Sequence, residues 1–347
     1  MLELLEGRRI VVCAGAGGVG KTTTAAAIAM GMAERGLKVA VVTIDPARRL
    51  ADSLGLDELG NEPRRVEGRF DGELWALMLD SKRTFDALIE RLAPDDATRD
   101  EILSNRIYQQ LSNAVAGSQE FTAIAKLYEL DQQGGYDLLV LDTPPSRNAL
   151  DFLDAPGRLS GFFQGRAIKM FLRPTGLLGR GTGVVFGLIE RLTGVDLLHD
   201  LSVFFRALSG MIDGFTERAA RVGALLSDPG TTFLIVTAPR HDPVEEAIFF
   251  HRKLRDAAMP FGGLVVNRLH VAQAGDGDLT DALGEDLAGR VAAAAHELAA
   301  LAEREAATVE RLRAELGDPP VIVVPELDGD VHDVEGLARM RDHLFGA

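Results

Sequence analysis

The sequence predicts a doubly wound α/β fold with a mostly parallel sheet, and three observations predict it. Short aliphatic and β-branched runs recur between helical stretches. Most of these runs are continuous rather than alternating, as strands buried on both faces of a parallel sheet require. The first run leads directly into a glycine-rich loop and an alanine-rich helical stretch, the strand–loop–helix unit from which such sheets are wound.

Arg9 to Cys13 forms the first expected strand, and Thr23 to Arg35 the helix after the loop. Further strands are expected at Lys38 to Ile44, Leu74 to Leu79, Asp137 to Asp142, Thr232 to Thr237, Gly262 to Asn267 and Pro320 to Val324. Two long stretches, about residues 81–135 and 146–228, lack strand signals and read as insertions forming a helical subdomain within one domain spanning residues 1–347. Residues 279–316, rich in Ala, Leu, Glu and Arg, read as long solvated helices, and Ala272 to Asp278 as a flexible loop.

The loop after the first strand carries the most specific signal. Gly15, Gly20, Lys21 and Thr22 satisfy G-x-x-x-x-G-K-[ST], the pattern whose backbone N–H groups and following helix N-terminus cradle phosphate oxygens. The cradle runs through Gly17, Gly18, Val19, Gly20, Lys21, Thr22 and Thr23. Lys21 is placed to reach the β- and γ-phosphates and Thr22 to hold Mg²⁺.

Two further strand ends add to it. Asp45, after the second strand, would face the γ-phosphate at the carboxyl edge of the sheet and orient or deprotonate an attacking water. Asp142 closes the apolar run Leu138 to Leu141, where a carboxylate partners P-loop Mg²⁺ directly or through water. A lone Asp at a strand end reads first as a helix N-cap. Three such elements in order on successive strands favour the phosphate site.

Composition bounds what else the chain can do. With 347 residues and 46% hydrophobic content it can bury one large core or two smaller ones, and its formal charge of −15 argues against a nucleic-acid backbone as main partner. Cys13 is the only cysteine, which excludes intramolecular disulfides, thiolate zinc cages and iron–sulfur ligand sets and suits a reducing cytoplasm. The N-terminal residues do not read as a signal peptide, and no apolar run approaches the roughly 18 residues of a membrane span. The expected location is therefore cytoplasmic.

One region reverses the acidic balance. Ala155 to Ile189 has no Asp or Glu but carries Arg158, Arg166, Lys169, Arg173 and Arg180 among apolar residues. Beyond it, Leu201, Phe204, Leu208, Met211 and Phe215 share one helical face, which reads either as core or as a surface for an apolar helix, a membrane face or a partner subunit.

The loop Gly15 to Thr23, then Asp45-Pro46-Ala47 with Leu50 and Asp52, then Asp142-Thr143 with Pro145-Ser146, resemble the deviant Walker A, switch I and switch II of the arsenical pump-driving ATPase (ArsA) family, which includes ATPases that target tail-anchored membrane proteins. The wording of residues 43–55 and 142–156 is similar to the actinobacterial branch, in which two unlike paralogues pair. The resemblance implies an ATP- and Mg²⁺-dependent dimer with two facing sites, Asp45 as the water-activating residue, and switch II relaying γ-phosphate state to a helical effector subdomain. It also implies that Asn267 reads adenine and that the loop from Pro325 walls the base; a turn Asn and a loop Pro explain these two residues as well.

The chain departs from the family at two places. Where the deviant loop carries a lysine that crosses to the partner's nucleotide, this sequence has Ala16. That substitution predicts a heterodimer with a paralogue carrying the lysine, or a homodimer that turns over slowly, because losing one cation at a transferring phosphoryl costs orders of magnitude in rate. Arg48 or Arg49 is another possible supplier of the charge. The single cysteine also excludes capture of arsenite by about three thiolates and the zinc-bridged dimer of the targeting ATPases. The functions left open are an ATPase that times binding of a client protein, an ATP-sensing scaffold subunit, a membrane-surface organiser like the ParA/MinD relatives, and phosphoryl transfer to a small molecule.

Overall fold

A computed structural model describes residues 1–45, 48–106, 108–109, 119–144, 204, 211–272 and 283–346. The chain opens with α1 (Leu2–Leu5), β1 (Ile10–Ala14), α2 (Lys21–Ala33), β2 (Lys38–Thr43) and α3 (Arg49–Ser53). There follow β3 (Arg64–Arg65), β4 (Glu73–Met78), α4 (Ser81–Leu92), α5 (Asp96–Ser104), α6 (Gln119–Gln133) and β5 (Leu138–Asp142). The remainder comprises α7 (Ile212–Leu226), β6 (Thr231–Thr237), α8 (His241–Asp256), β7 (Phe261–Leu269), α9 (Glu285–Glu315), β8 (Val321–Pro325) and α10 (Val334–Phe345).

The strands form one sheet in the order β3-β4-β2-β5-β1-β6-β7-β8, parallel throughout except at β3. The doubly wound parallel sheet expected from the sequence is therefore present. All five residues of β1 and of β5, and all seven of β6, are buried, which is why their sequences read as unbroken apolar or β-branched runs. α2 packs on this sheet with Ala25, Ala26, Ala27 and Ala29 buried, small side chains that allow a close approach, and α10 packs against α2 in the same core.

The sequence reading missed β3. It contains only two exposed arginines, Arg64 and Arg65, paired antiparallel with Ala76 and Trp75 at the sheet edge. No apolar run marks it, and short charged strands at an edge discourage pairing with another chain. The helix after the glycine loop begins at Lys21, two residues before the expected Thr23. Residues 285–315 form the single helix α9, not several, about 46 Å long at 1.5 Å per residue. Its later turns bury Ala302, Glu305, Val309 and Leu312, whereas Leu287, Val291 and Leu298 in its earlier turns are exposed.

The chain divides into two compact units: Met1–Met78, Gln133–Leu150 and Leu226–Ala347 in the first, Leu79–Gln132 and Asp151–Leu225 in the second. The first contains the sheet. Every described element of the second is helical. Asp80 and Asp95 cap α4 and α5, accepting from the backbone N–H of Arg83 at 3.0 Å and Thr98 at 2.7 Å. Phe85 stacks on Tyr108, whose hydroxyl donates to Asp86 and whose ring lies 6.3 Å from that of Phe204. Phe204 and Met211 are both buried. Leu201, Leu208, the side chain of Phe215 and the basic stretch from Arg158 to Arg180 lie outside the described residues.

Candidate functional site

The site lies at the carboxyl edge of the sheet, within the first unit, where parallel strands release their loops. Gly15 leaves β1 at φ 155°, and a Cβ there would stand 1.9 Å from the carbonyl oxygen of Val236 on β6. Only glycine lets the loop pass so close to the neighbouring strand. Gly20 precedes α2 with φ 92°, and a Cβ there would meet the Asn267 amide nitrogen at 2.3 Å. The two glycines thus allow the loop to turn back over the N-terminus of α2, aiming the first backbone N–H groups of that helix into a cavity of about 420 Å³.

The cavity is lined by the cradle residues Gly18, Gly20, Lys21, Thr22 and Thr23, and by Asp45, Thr143, Asn267 and Pro325. Gly17 is exposed on the loop beside them, and Val19 is buried beneath it. Most residues singled out in the sequence therefore converge on one volume, although they come from five different strand ends. Pro46, Ala47, Pro145 and Ser146 lie outside the described residues.

Below the cradle, polar side chains form a connected chain. The Thr22 hydroxyl donates to Asp142 Oδ2 at 2.7 Å, and the Thr43 hydroxyl donates to the same oxygen at 2.8 Å. Thr43 Oγ1 in turn accepts from the Asp45 backbone N–H at 3.2 Å. Thr43 therefore ties the loop carrying Asp45 to the carboxylate at the end of β5. The sequence reading assigned it no role, because a threonine closing a β-branched strand looks like ordinary strand composition. Thr143, named from the sequence only as part of the switch II resemblance, donates its hydroxyl to the Cys13 carbonyl at 2.9 Å and joins the end of β5 to β1 at the loop's origin.

Lys21 is buried and donates to the Ala16 carbonyl at 2.8 Å. Burial lowers its pKa, while Asp142, Asp45 and Glu246 act in the opposite sense and Arg49 adds to the lowering. An incoming polyphosphate would restore the charge that burial disfavours. Ala16 itself is only 6% exposed. Of the two switch I arginines, Arg49 lines the cavity and stands 3.7 Å from Asp45, whereas Arg48 is exposed outside the lining.

Asp142 is fully buried, and its Oδ1 makes no hydrogen bond. Burial raises its carboxyl from 3.8 to about 6, against the hydroxyls of Thr22 and Thr43 and the Lys21 ammonium, which all act to lower it. A buried orphan carboxylate oxygen next to a threonine hydroxyl is the hard, oxygen-only donor set that suits Mg²⁺ held with water. Among the described residues no group of three or more His, Cys, Asp or Glu side chains could hold a metal ion.

Because the folded chain holds the Asp142 proton more tightly than the unfolded chain, the contribution of this residue is greatest below about pH 4 and declines as pH rises through 6. In metal-free buffer Asp142→Asn should therefore be more stable than the parent at pH 8, by on the order of 2 kcal/mol, with the difference closing toward pH 4. Urea denaturation of both proteins across that range checks it.

A glycine cradle at a β–α junction, closed by a buried carboxylate on the adjacent parallel strand, defines a P-loop α/β protein. The family model described as anion-transporting ATPase (ArsA_ATPase) matches residues 8–346, and the chain belongs to that family. It is 32% identical over 266 residues to ATPase get3 of Aspergillus terreus, covering 75% of this chain and 73% of the relative. It is 28% identical over 317 residues to ATPase ARSA1 of Chlamydomonas reinhardtii, covering 82% of this chain and 38% of that protein. It is likewise 28% identical over 253 residues to the putative arsenical pump-driving ATPase 1 of Aquifex aeolicus, covering 69% of this chain and 58% of the relative. The chain thus spans less than two thirds of the length of the last two. Among the described residues no helix is long and apolar enough to cross a membrane.

Proposed function

We propose that the chain binds and hydrolyses ATP in the cytoplasm, and that its nucleotide state gates the binding of a client or partner protein. The observation that carries this reading is the chain of hydrogen bonds from Thr22 through Asp142 and Thr43 to the Asp45 loop, which links the cradle floor to the residue facing the reacting phosphate. Lys21 and the N–H groups at the start of α2 hold the β- and γ-phosphates. Thr22 and Asp142 would hold Mg²⁺, which would supply positive charge to neutralise the phosphate oxygens. Asp45 orients a water in line with the γ-phosphorus and takes its proton as the new P–O bond forms and the bond to the β–γ bridging oxygen breaks, giving ADP and inorganic phosphate.

Asn267 sets the base. Its Nδ2 donates one of its two N–H groups to the Val19 carbonyl at 2.9 Å, which orients the amide and leaves its carbonyl oxygen as an acceptor for a ligand. That acceptor suits the exocyclic amine of adenine and opposes the carbonyl that guanine carries at the same position. Pro325 and Leu327 supply an apolar wall.

Hydrolysis of ATP changes what holds the Asp45 and Asp142 loops. The loop after Asp142 runs directly into residues 146–228, and the helical unit to which most of them belong is the effector in this reading. Membership of the ArsA family supports this reading through the switch II resemblance, which implies a relay from the γ-phosphate to a helical effector. The occupant of the effector is proposed to be an apolar helix of a client.

Two features favour an unequal dimer and slow turnover by this chain alone. Ala16 supplies no cation to a facing site, and Arg49 holds an ion pair with Asp45. Steady-state phosphate release by the purified chain tests this. Slow release that accelerates when a lysine-bearing paralogue is added is the expected result, and fast release by the chain alone overturns the unequal-dimer reading.

A further inference from the structure

Three described residues other than glycine have positive φ: Ala258, Arg268 and Asp318. Ala258 and Asp318 follow the C-terminal ends of α8 and α9, where left-handed backbone is a common way to stop a helix. Arg268 has no such reason. It stands within β7 at φ 62°, a conformation that long side chains adopt at a cost, and it lines the cavity.

The backbone around it is fastened on every side. The β7–β8 pairing shifts register between Val266 and Leu269, the mark of a bulge. Asn267 before the bulge donates to the Val19 carbonyl at 2.9 Å. Leu269 after it accepts from the Glu326 backbone N–H at 2.9 Å. His270 donates its backbone N–H to the buried Glu305 of α9 at 2.8 Å, and its ring Nδ1 lies 3.0 Å from the same carboxylate. Strain held by so many ties, next to a cavity, re-aims a side chain.

The side chain it aims is a guanidinium that makes no hydrogen bond or ion pair with a described residue. We propose that Arg268 is a nucleotide-binding residue that stacks its guanidinium plane on the purine base. This rests on the reading of the cavity as an ATP site. The base is favoured over phosphate because Glu326 and Asp330 line the cavity with Pro325 and Leu327, and their charge opposes a polyphosphate on that wall. A planar, weakly hydrated guanidinium stacks well on an aromatic ring, which a lysine ammonium does not reproduce.

The inference is tested on the full chain by calorimetric titration with Mg·ATP, Mg·ADP and inorganic tripolyphosphate, for the parent, Arg268→Gly and Arg268→Lys, together with thermal melting of the apoproteins. Glycine accepts the left-handed backbone, so Arg268→Gly is expected to melt at or above the parent temperature. Its affinity for ATP and ADP should fall about tenfold, with tripolyphosphate binding unchanged. Arg268→Lys should lose nearly as much ATP affinity as the glycine variant. Equal ATP binding by parent and Arg268→Gly, or an equal loss for tripolyphosphate, overturns the stacking role. A parent that binds tripolyphosphate but no purine nucleotide overturns the ATP reading itself.

Discussion

Asp45→Asn should reduce steady-state phosphate release about 10²- to 10⁴-fold while leaving the affinity for Mg·ATP within about threefold of the parent. Asn keeps the shape of the side chain, and the backbone N–H that bonds Thr43 is untouched, so the loop remains tied to Asp142. What it loses is the ability to accept the proton of the attacking water. It also loses the ion pair at 3.7 Å with the exposed Arg49, a long surface-side contact whose removal has little effect on stability. Nucleotide occupancy measured beside phosphate release separates this from a fold defect, because a damaged loop would lose both. If the chain were a scaffold in which turnover is incidental, Asp45→Asn would leave its partner interactions unaltered; in the gating account it holds them in the ATP-bound state.

The second large effect falls on Lys21. Lys21→Ala should lower kcat/KM for ATP by about 10³ or more, with most of the loss visible as weakened ATP binding. The ammonium is buried and bonded to the Ala16 carbonyl, so the polyphosphate meets a charge already positioned inside the cavity. Because burial disfavours that charge in the empty protein, the apo form of Lys21→Ala should be as stable as the parent or more so. Titration of ATP binding and urea denaturation of the same preparation check the two halves of this expectation.

The sheet was legible because its central strands are buried on both faces and therefore write themselves as unbroken apolar runs, as Ile10 to Ala14 and Leu138 to Leu141 do. β3 was not, since two exposed arginines at an edge carry no such pattern. The phosphate cradle was legible for a different reason. A loop so near β6 that a Cβ at position 15 would stand 1.9 Å from the Val236 carbonyl oxygen, and which then turns back beneath Asn267, has to spell glycine at Gly15 and Gly20. Thr43 and Arg268 escaped notice because their roles depend on partners distant in sequence. Asp142, which Thr43 contacts, is 99 residues away, and the bulge that turns Arg268 is defined by β8 and by the buried Glu305. Likewise, nothing in the sequence could distinguish Arg49 from Arg48; a single step along α3 decides which faces the cavity.

The most direct test of the account is the fate of the γ-phosphate in a single turnover, with excess purified chain mixed with γ-labelled ATP and quenched over time. The account predicts that all of the label appears as inorganic phosphate, that its release requires Mg²⁺, and that Asp45→Asn prevents it while ATP stays bound. Label retained as ATP in the parent, or transferred to an added carboxylate acceptor instead of water, would contradict it.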